Sequence, residues 1–150
     1  MDLKGRGRRL VVGIDGSPAS YEALRWAVRH ARLIGAAVDA VAAYELPGVA
    51  GWSAPPVDAG FDGAQAERAL ADEIQTVLVG AEDVRLREHV VRGNPAEVLT
   101  EAASGAELLV VGSRGRGGFT SLLLGSVSQQ CALHAPCPVV IVRPDTTERT

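Results

Sequence analysis

Residues 10–18, near the start of the chain, read LVVGIDGSP and predict the first unit of the fold. Its first five residues are apolar or glycine, and an uninterrupted apolar run is typical of a parallel strand buried on both faces. Ser17 is suited to cap a helix, and Pro18 is suited to the first helical turn, where its missing N–H is not needed. Apolar residues then recur at helical spacing until Gly35, which favours a helix end. The stretch therefore predicts a buried strand that leads through a polar turn into a helix.

The same alternation of short apolar runs and helical segments continues along the chain. It predicts further strands at residues 38–44, 84–91, 108–111 and 139–142. Three helices are predicted between these strands. The first has apolar residues at helical spacing, Ala66, Leu70, Ile74, Val77 and Leu78. The second begins with the cap Asn94 before Pro95, and the third contains Leu122, Leu123, Val127 and Leu133. Five strands that alternate with four helices indicate an α/β fold, with a five-stranded parallel sheet and helices on both faces, Rossmann-like or flavodoxin-like. In that arrangement the fifth strand is an edge, and ligands bind between the carboxyl ends of strands one and four.

One face of the predicted third strand is basic. Arg85, Arg87 and His89 alternate along it, which predicts an edge strand or a half-exposed strand.

The chain is predicted to form a single domain at residues 10–143, because 150 residues can enclose one hydrophobic core. Residues 1–9 are expected to be a flexible basic tail and residues 144–150 a C-terminal tail. Residues 47–63 are rich in proline and glycine, and they predict a loop longer than the usual connection.

Composition excludes several classes of function. A net charge of −3 and an aromatic content of 4% argue against a nucleic-acid-binding protein. No run reaches 18 apolar residues, so we expect no transmembrane helix and no membrane partner. Cys131 and Cys137 form neither a disulfide framework nor a CxxC pair, which favours reduced thiols and a cytoplasmic location.

Two polar loops follow the strands that flank the predicted crevice. The first is Asp15-Gly16-Ser17, and the second, residues 112–118, reads GSRGRGG and leads into a helix. Glycine lets backbone N–H groups approach an anion closely, and Arg114 and Arg116 add cationic donors. The chain has a single lysine, Lys4, and no GxxxxGK[ST] motif, which excludes a Walker phosphate loop. The dinucleotide motif GxGxxG is also absent after the first strand.

The spacing of the glycines is more specific than their number. Gly112 and Gly115 are separated by two residues, and nine more residues precede Gly125-Ser126. This G-x2-G-x9-G-S pattern resembles the ATP-binding subgroup of the universal stress protein family. The resemblance covers nearly the whole chain and includes VGIDGS at residues 12–17, GNP at residues 93–95 and APCPV at residues 135–139.

The resemblance implies an adenine nucleotide alpha hydrolase-like fold and a role for each matching residue. Gly112 and Gly115 would contact the ribose and phosphates of ATP, ADP or AMP. The phosphates would also meet the backbone of Gly125 and Val127 and the hydroxyl of Ser126. Asp15, beside Gly16 and Ser17, would approach them through Mg²⁺, and adenine would lie near Ala42 and Ala43.

Simpler interpretations of the same residues stay open at this stage. Asp15 could be a turn residue, Ser126 a hydroxyl on a helix surface, and Arg114 and Arg116 solvated loop charges. No nucleophile–base pair is evident, so catalysis is expected to be absent or limited to slow ATP hydrolysis.

The sequence thus predicts an ATP-binding regulatory module of the stress response. A slow ATPase or other nucleotide-dependent enzyme, and a nucleotide-free dimeric scaffold, are the alternatives. The apolar edge strand Val139–Val142 predicts a homodimer, because an exposed apolar edge favours pairing with another chain.

Overall fold

The structure is a computed structural model, and it describes residues 7–44, 63–78, 83–114 and 124–144. Strands and helices alternate throughout these residues. In chain order they are β1 (Arg9–Gly13), α1 (Pro18–Ile34), β2 (Ala37–Tyr44), α2 (Gly63–Val77), β3 (Leu86–Arg92), α3 (Pro95–Ala102), β4 (Leu108–Gly112), α4 (Ser126–His134) and β5 (Val139–Val142).

The five strands form one parallel sheet with the order β3-β2-β1-β4-β5. This order is the Rossmann-like one, in which the chain reverses its direction of travel between β1 and β4. The predicted α/β fold, the switch point between β1 and β4 and the edge position of the fifth strand are confirmed. The basic third strand is the other edge.

Hydrophobic cores cover both faces of the sheet. On one face, α1 and α2 pack Leu24 and Ile74 against Leu10 and Val38, which are fully buried or nearly so. On the other face, α3 and α4 cover the alternate strand residues, among them Val11. The continuous apolar runs of β1 and β4 are explained by this double burial.

Helix caps lie where the sequence predicts them. Ser17 caps α1, and Gly35 ends that helix with a φ of 70°, in the left-handed region that glycine favours. Asn94 caps α3 by accepting a hydrogen bond from the Glu97 N–H at 3.2 Å. Pro95 is the first residue of α3, as expected.

Several boundaries differ from the predictions. β3, predicted at residues 84–91, begins at Leu86, so Arg85 precedes it. Arg9, placed in the basic tail by sequence, is the first residue of β1 and is only 2% exposed. The helix predicted to include Leu122, Leu123, Val127 and Leu133 begins, within the described residues, at Ser126, and Leu133 is 76% exposed. Leu122 and Leu123 lie outside the described residues, as do residues 1–6, most of the 47–63 loop, and residues 145–150 of the predicted C-terminal tail. None of the helices in the described part of the chain is long and apolar enough to cross a membrane.

Candidate functional site

Backbone hydrogen bonds bring the two halves of the glycine pattern together at the carboxyl end of β4. The Gly125 N–H donates to the Ser113 carbonyl at 2.7 Å. The Ser128 hydroxyl donates to the same carbonyl at 3.1 Å and lies 3.0 Å from the Gly125 carbonyl. As a result, Gly125 lies beside Ser113, the residue after Gly112, although Gly112 and Gly125 are thirteen positions apart in sequence.

The loop after β1 joins the same edge of the sheet. Asp15 is exposed, and its Oδ1 accepts a hydrogen bond from the Ser17 N–H at 2.9 Å. Gly16 has a φ of 84°, which explains a glycine at this point of the turn. The Ser17 hydroxyl also lies 3.5 Å from the Arg114 carbonyl, so the loops after β1 and β4 touch. Asp15 is therefore a turn residue, as the simpler interpretation has it, and its carboxylate is also exposed at the crevice.

Packing alone explains the glycine at position 112. A Cβ atom there would lie 2.7 Å from the Cβ and 2.8 Å from the carbonyl carbon of Ala19, in the first turn of α1. Such distances are too short for any side chain, and the backbone of a helix cannot move aside cheaply. Gly112 is thus required by the close approach of β4 and α1, independently of any ligand.

The N-terminus of α4 has no side-chain cap. Gly125 is its N-cap residue, with no capping hydrogen bond, and its first turn carries no acidic residue. Ser17 and Asn94 cap α1 and α3 with side-chain oxygens. The helix predicted from Leu122 to Leu133 would have enclosed Gly125, but Gly125 precedes α4, where glycine is well tolerated. The first N–H groups of α4 and the positive end of its dipole suit an anion.

The remaining predicted site residues have different surroundings. Ser126 is exposed at the first position of α4, whereas the side chain of Val127 packs into the core between α3, α4 and the sheet. Ala42 and Ala43 are half-buried near the carboxyl end of β2 and face opposite sides of the sheet. Arg114 is half-buried directly after β4. Gly115 and Arg116 lie outside the described residues.

The residues described around the carboxyl ends of β1 and β4 fit a divalent cation that is held mainly by a bound nucleotide. They contain no group of three or more histidine, cysteine or acidic side chains that could enclose a metal ion. Mg²⁺ bound to a nucleotide needs only one or two protein carboxylates, because phosphates and water supply its other ligands. The exposed carboxylate of Asp15 meets that requirement.

Burial makes the two thiols poor nucleophiles. It raises the pKa of Cys131 to about 11. The pKa of Cys137 is also raised by burial, although the hydrogen bond at Leu109 and the charge of Arg9 oppose the change. Since a thiolate is the reactive form, the structure favours a packing role for Cys131.

Two features of the structure were missed by the sequence analysis. The first is the pair Ser113 and Ser128, which are 3% exposed and connect β4 to α4. The second is a buried ionic cluster on the face of the sheet covered by α3, where Asp39 contacts Arg9, Arg87 and His89. An aspartate within the apolar run of β2 was the available signal, because a buried charge requires a partner.

The chain belongs to the universal stress protein family, whose sequence pattern it matches over residues 7–143. It is 40% identical over 137 residues to a universal stress protein of Mycolicibacterium smegmatis, covering 90% of this chain and 45% of that protein. A universal stress protein of Mycobacterium tuberculosis is 34% identical over 146 residues, covering 94% of this chain and 52% of that protein. The chain thus spans about half the length of the curated relatives it matches.

Solved structures show the same fold. Universal stress protein UspA from Lactobacillus plantarum has a TM-score of 0.73 at 23% identity, over 93% of this chain and all of that one. A universal stress protein in complex with cAMP has a TM-score of 0.68 at 28% identity, over 92% and 98% of the two chains. A universal stress protein from Archaeoglobus fulgidus in complex with dAMP has a TM-score of 0.62 at 23% identity, over 91% and 98% of the two chains. A universal stress protein family protein from Arabidopsis thaliana with AMP bound has a TM-score of 0.61 at 18% identity, over 96% of each chain.

Proposed function

We propose that this chain binds an adenine nucleotide, ATP or its diphosphate or monophosphate, in the crevice between β1 and β4. One observation carries the proposal: the uncapped N-terminus of α4 is held beside the end of β4 by the hydrogen bond from Gly125 to Ser113. A helix N-terminus next to glycine-rich backbone at a switch point favours phosphate groups. The complexes of related proteins with cAMP, dAMP and AMP support the choice of an adenine nucleotide.

The proposed site assigns separate tasks to the residues around the crevice. The N–H groups of Ser126 and Val127, with the Ser126 hydroxyl, would donate hydrogen bonds to the phosphates. Gly125 would keep the approach to them open, because any side chain at that position would project beside them.

The other end of the crevice would hold the nucleoside. The half-buried alanines Ala42 and Ala43 leave space and backbone groups for adenine, and Gly112 would lie beside the ribose. Gly16 and Ser17 shape the turn that presents Asp15, through which Mg²⁺ would reach the phosphates. Arg114, together with Gly115 and Arg116 of the undescribed segment, would complete the phosphate contacts on the β4 side.

The role that we propose for nucleotide binding is regulatory, with ligand occupancy favouring one conformation or one protein surface. A slow ATPase is the alternative. In that case Asp15 would have to act in catalysis, although its Oδ1 already accepts a hydrogen bond from the Ser17 N–H. Efficient hydrolysis would need a further group to position water.

A second copy of this domain is the proposed partner, joined through β5. This strand pairs with β4 on one side and is the edge of the sheet on the other. Its four residues are apolar and half-exposed. Pairing of two such edges would cover them and satisfy their backbone groups, giving a homodimer. Sedimentation equilibrium should then give twice the mass of the chain, and a monomer at micromolar concentration would contradict this part of the proposal.

Isothermal titration calorimetry with ATP, ADP and AMP, with and without Mg²⁺, tests nucleotide binding. Gly125→Asp should abolish binding, because it adds a bulky negative side chain where the phosphates would lie. Gln130→Asp is the matched control, since it adds the same charge to an exposed position later in α4. Absence of heat for the wild-type protein at millimolar nucleotide, or retained affinity in Gly125→Asp, would overturn the proposal.

A further inference from the structure

The ionic cluster around Asp39 lies away from the proposed nucleotide site. Arg9, Asp39 and Arg87 occupy positions one, three and two of β1, β2 and β3, in the amino-terminal half of the sheet. The nucleotide crevice is at the carboxyl ends. The cluster therefore has no part in the function proposed above.

Four donors saturate the Asp39 carboxylate, which is fully buried. Arg87 binds it in a bidentate manner, with Nε 2.7 Å from Oδ1 and Nη2 3.0 Å from Oδ2. His89 Nε2 lies 3.0 Å from Oδ1, and Arg9 Nη1 lies 3.4 Å from Oδ2. Since an ionised carboxylate only accepts hydrogen bonds, Nε2 of His89 is the donor, and Nδ1 of the neutral ring is an acceptor.

The cluster carries an excess of positive charge. Two guanidinium groups share one carboxylate, and within the described residues neither forms an ion pair with any other acid. The side chain of Arg9 is only 3% exposed, and its Nη2 donates to the neutral carbonyl of Ser104 at 2.6 Å. A buried charge without its own counter-charge is unfavourable, so the cluster attracts an anion.

Access to this excess charge is open on one side. α3 packs over β1 and β2, and α2 covers the opposite face of β3. The side chains of Arg87 and His89 are consequently 35% and 21% exposed at the sheet edge. Arg85 is exposed and immediately precedes β3, and its carbonyl accepts a hydrogen bond from the Val38 N–H at 2.8 Å. Because this bond continues the pairing with β2, alternation places the Arg85 side chain on the same face as Arg87.

We propose that Arg85 and Arg87, beside His89, form a second anion site, which binds an oxyanion of the phosphate class at the edge of β3. Arg87 uses two of its five N–H groups on Asp39 and keeps Nη1 for the ligand. The buried Arg9 adds long-range attraction, and the saturated carboxylate of Asp39 fixes the orientation of Arg87. The basic alternation in β3 thus has a role beyond marking an edge strand.

Nuclear magnetic resonance of the full ¹⁵N-labelled chain tests the proposal, with inorganic phosphate titrated at constant ionic strength against chloride. The Arg87 Nε–H resonance and the β3 amides should shift saturably. Arg87→Met should weaken this response at least tenfold. Arg92→Met is the matched control, because Arg92 is an exposed arginine of the same strand on the opposite face, and it should leave the response unchanged.

Shifts of Gly125 and Ser126 in the same spectra report phosphate at the proposed nucleotide site, so the two sites are measured separately. Gly125→Asp should lose the phosphate-induced shifts at α4 and keep those of β3. The proposal is overturned if wild-type β3 resonances do not shift saturably, if Arg87→Met responds like wild type, or if Gly125→Asp abolishes the β3 response. The wild-type titration decides the question even if Arg87→Met fails to fold.

Discussion

Removing the charge of Asp39 should destabilise the protein strongly. Asp39→Asn keeps the shape of the side chain, but it replaces an oxygen that accepts two hydrogen bonds with an amide group that donates. Arg9 is then left as a buried cation with little compensation, since its side chain is only 3% exposed. Breaking a buried ion pair in this way costs about 3–5 kcal/mol.

The lower end of that range is expected here. Arg87 is about one-third exposed, so its guanidinium can turn towards water. Most of the lost stability therefore comes from the buried charge of Arg9. A loss of about 3 kcal/mol is a large part of the roughly 5–15 kcal/mol that stabilises a typical domain. With an m-value of about 2 kcal/mol/M, the urea midpoint should fall by roughly 1.5 M.

Urea unfolding followed by circular dichroism measures the change, with Arg32→Met as the control. Arg32 forms an exposed bidentate pair with Asp83, at 2.6 and 2.8 Å, and losing it should lower the midpoint by at most about 0.5 M. The double variant Arg9→Met/Asp39→Leu should be more stable than Asp39→Asn, because it leaves no fully buried unpaired charge. A midpoint for Asp39→Asn equal to that of the Arg32→Met control would refute the reasoning.

Three further predictions concern packing, capping and burial. Gly112→Ala should lower the free energy of unfolding by about 1–3 kcal/mol, because the added methyl group would clash with Ala19. Gly125→Ala, at the N-cap of α4, should lower the free energy of unfolding by less. Equal urea midpoints for the two variants would contradict this prediction. Asn94→Ala should lose about 1 kcal/mol in thermal or urea unfolding because it removes the acceptor for the Glu97 N–H, and an unchanged midpoint would mean that the cap is not stabilising. Burial raises the pKa of the Cys131 thiol from 9.0 to about 11, so its contribution to stability is complete below pH 9 and is lost as the pH rises towards 11. At pH 8 Cys131 should therefore resist iodoacetamide in the folded protein and react in urea, as peptide mass spectrometry would show, and rapid labelling of the folded protein would contradict its burial.

Most of the architecture could be predicted from local patterns. Continuous apolar runs indicate strands covered on both faces, and the caps Ser17 and Asn94 act within a single turn of chain. These signals depend on neighbours a few residues away, so they can be read without knowledge of the fold. The start of α4 could not be located in this way, because Gly125 is positioned by a hydrogen bond to Ser113, twelve residues earlier.

The order of strands and helices, the family, and the glycine spacing behind the candidate nucleotide site can all be recognised from the amino-acid sequence alone. Why particular residues are needed becomes clear only from the packed structure. Gly112 is required by contact with Ala19 across the chain, and the basic residues of β3 meet Asp39 only because parallel pairing brings Arg87 into register with it. The physical reason is the same in both cases: close packing and ion pairing depend on distances between atoms that are far apart in sequence, and those distances exist only once the sheet has formed.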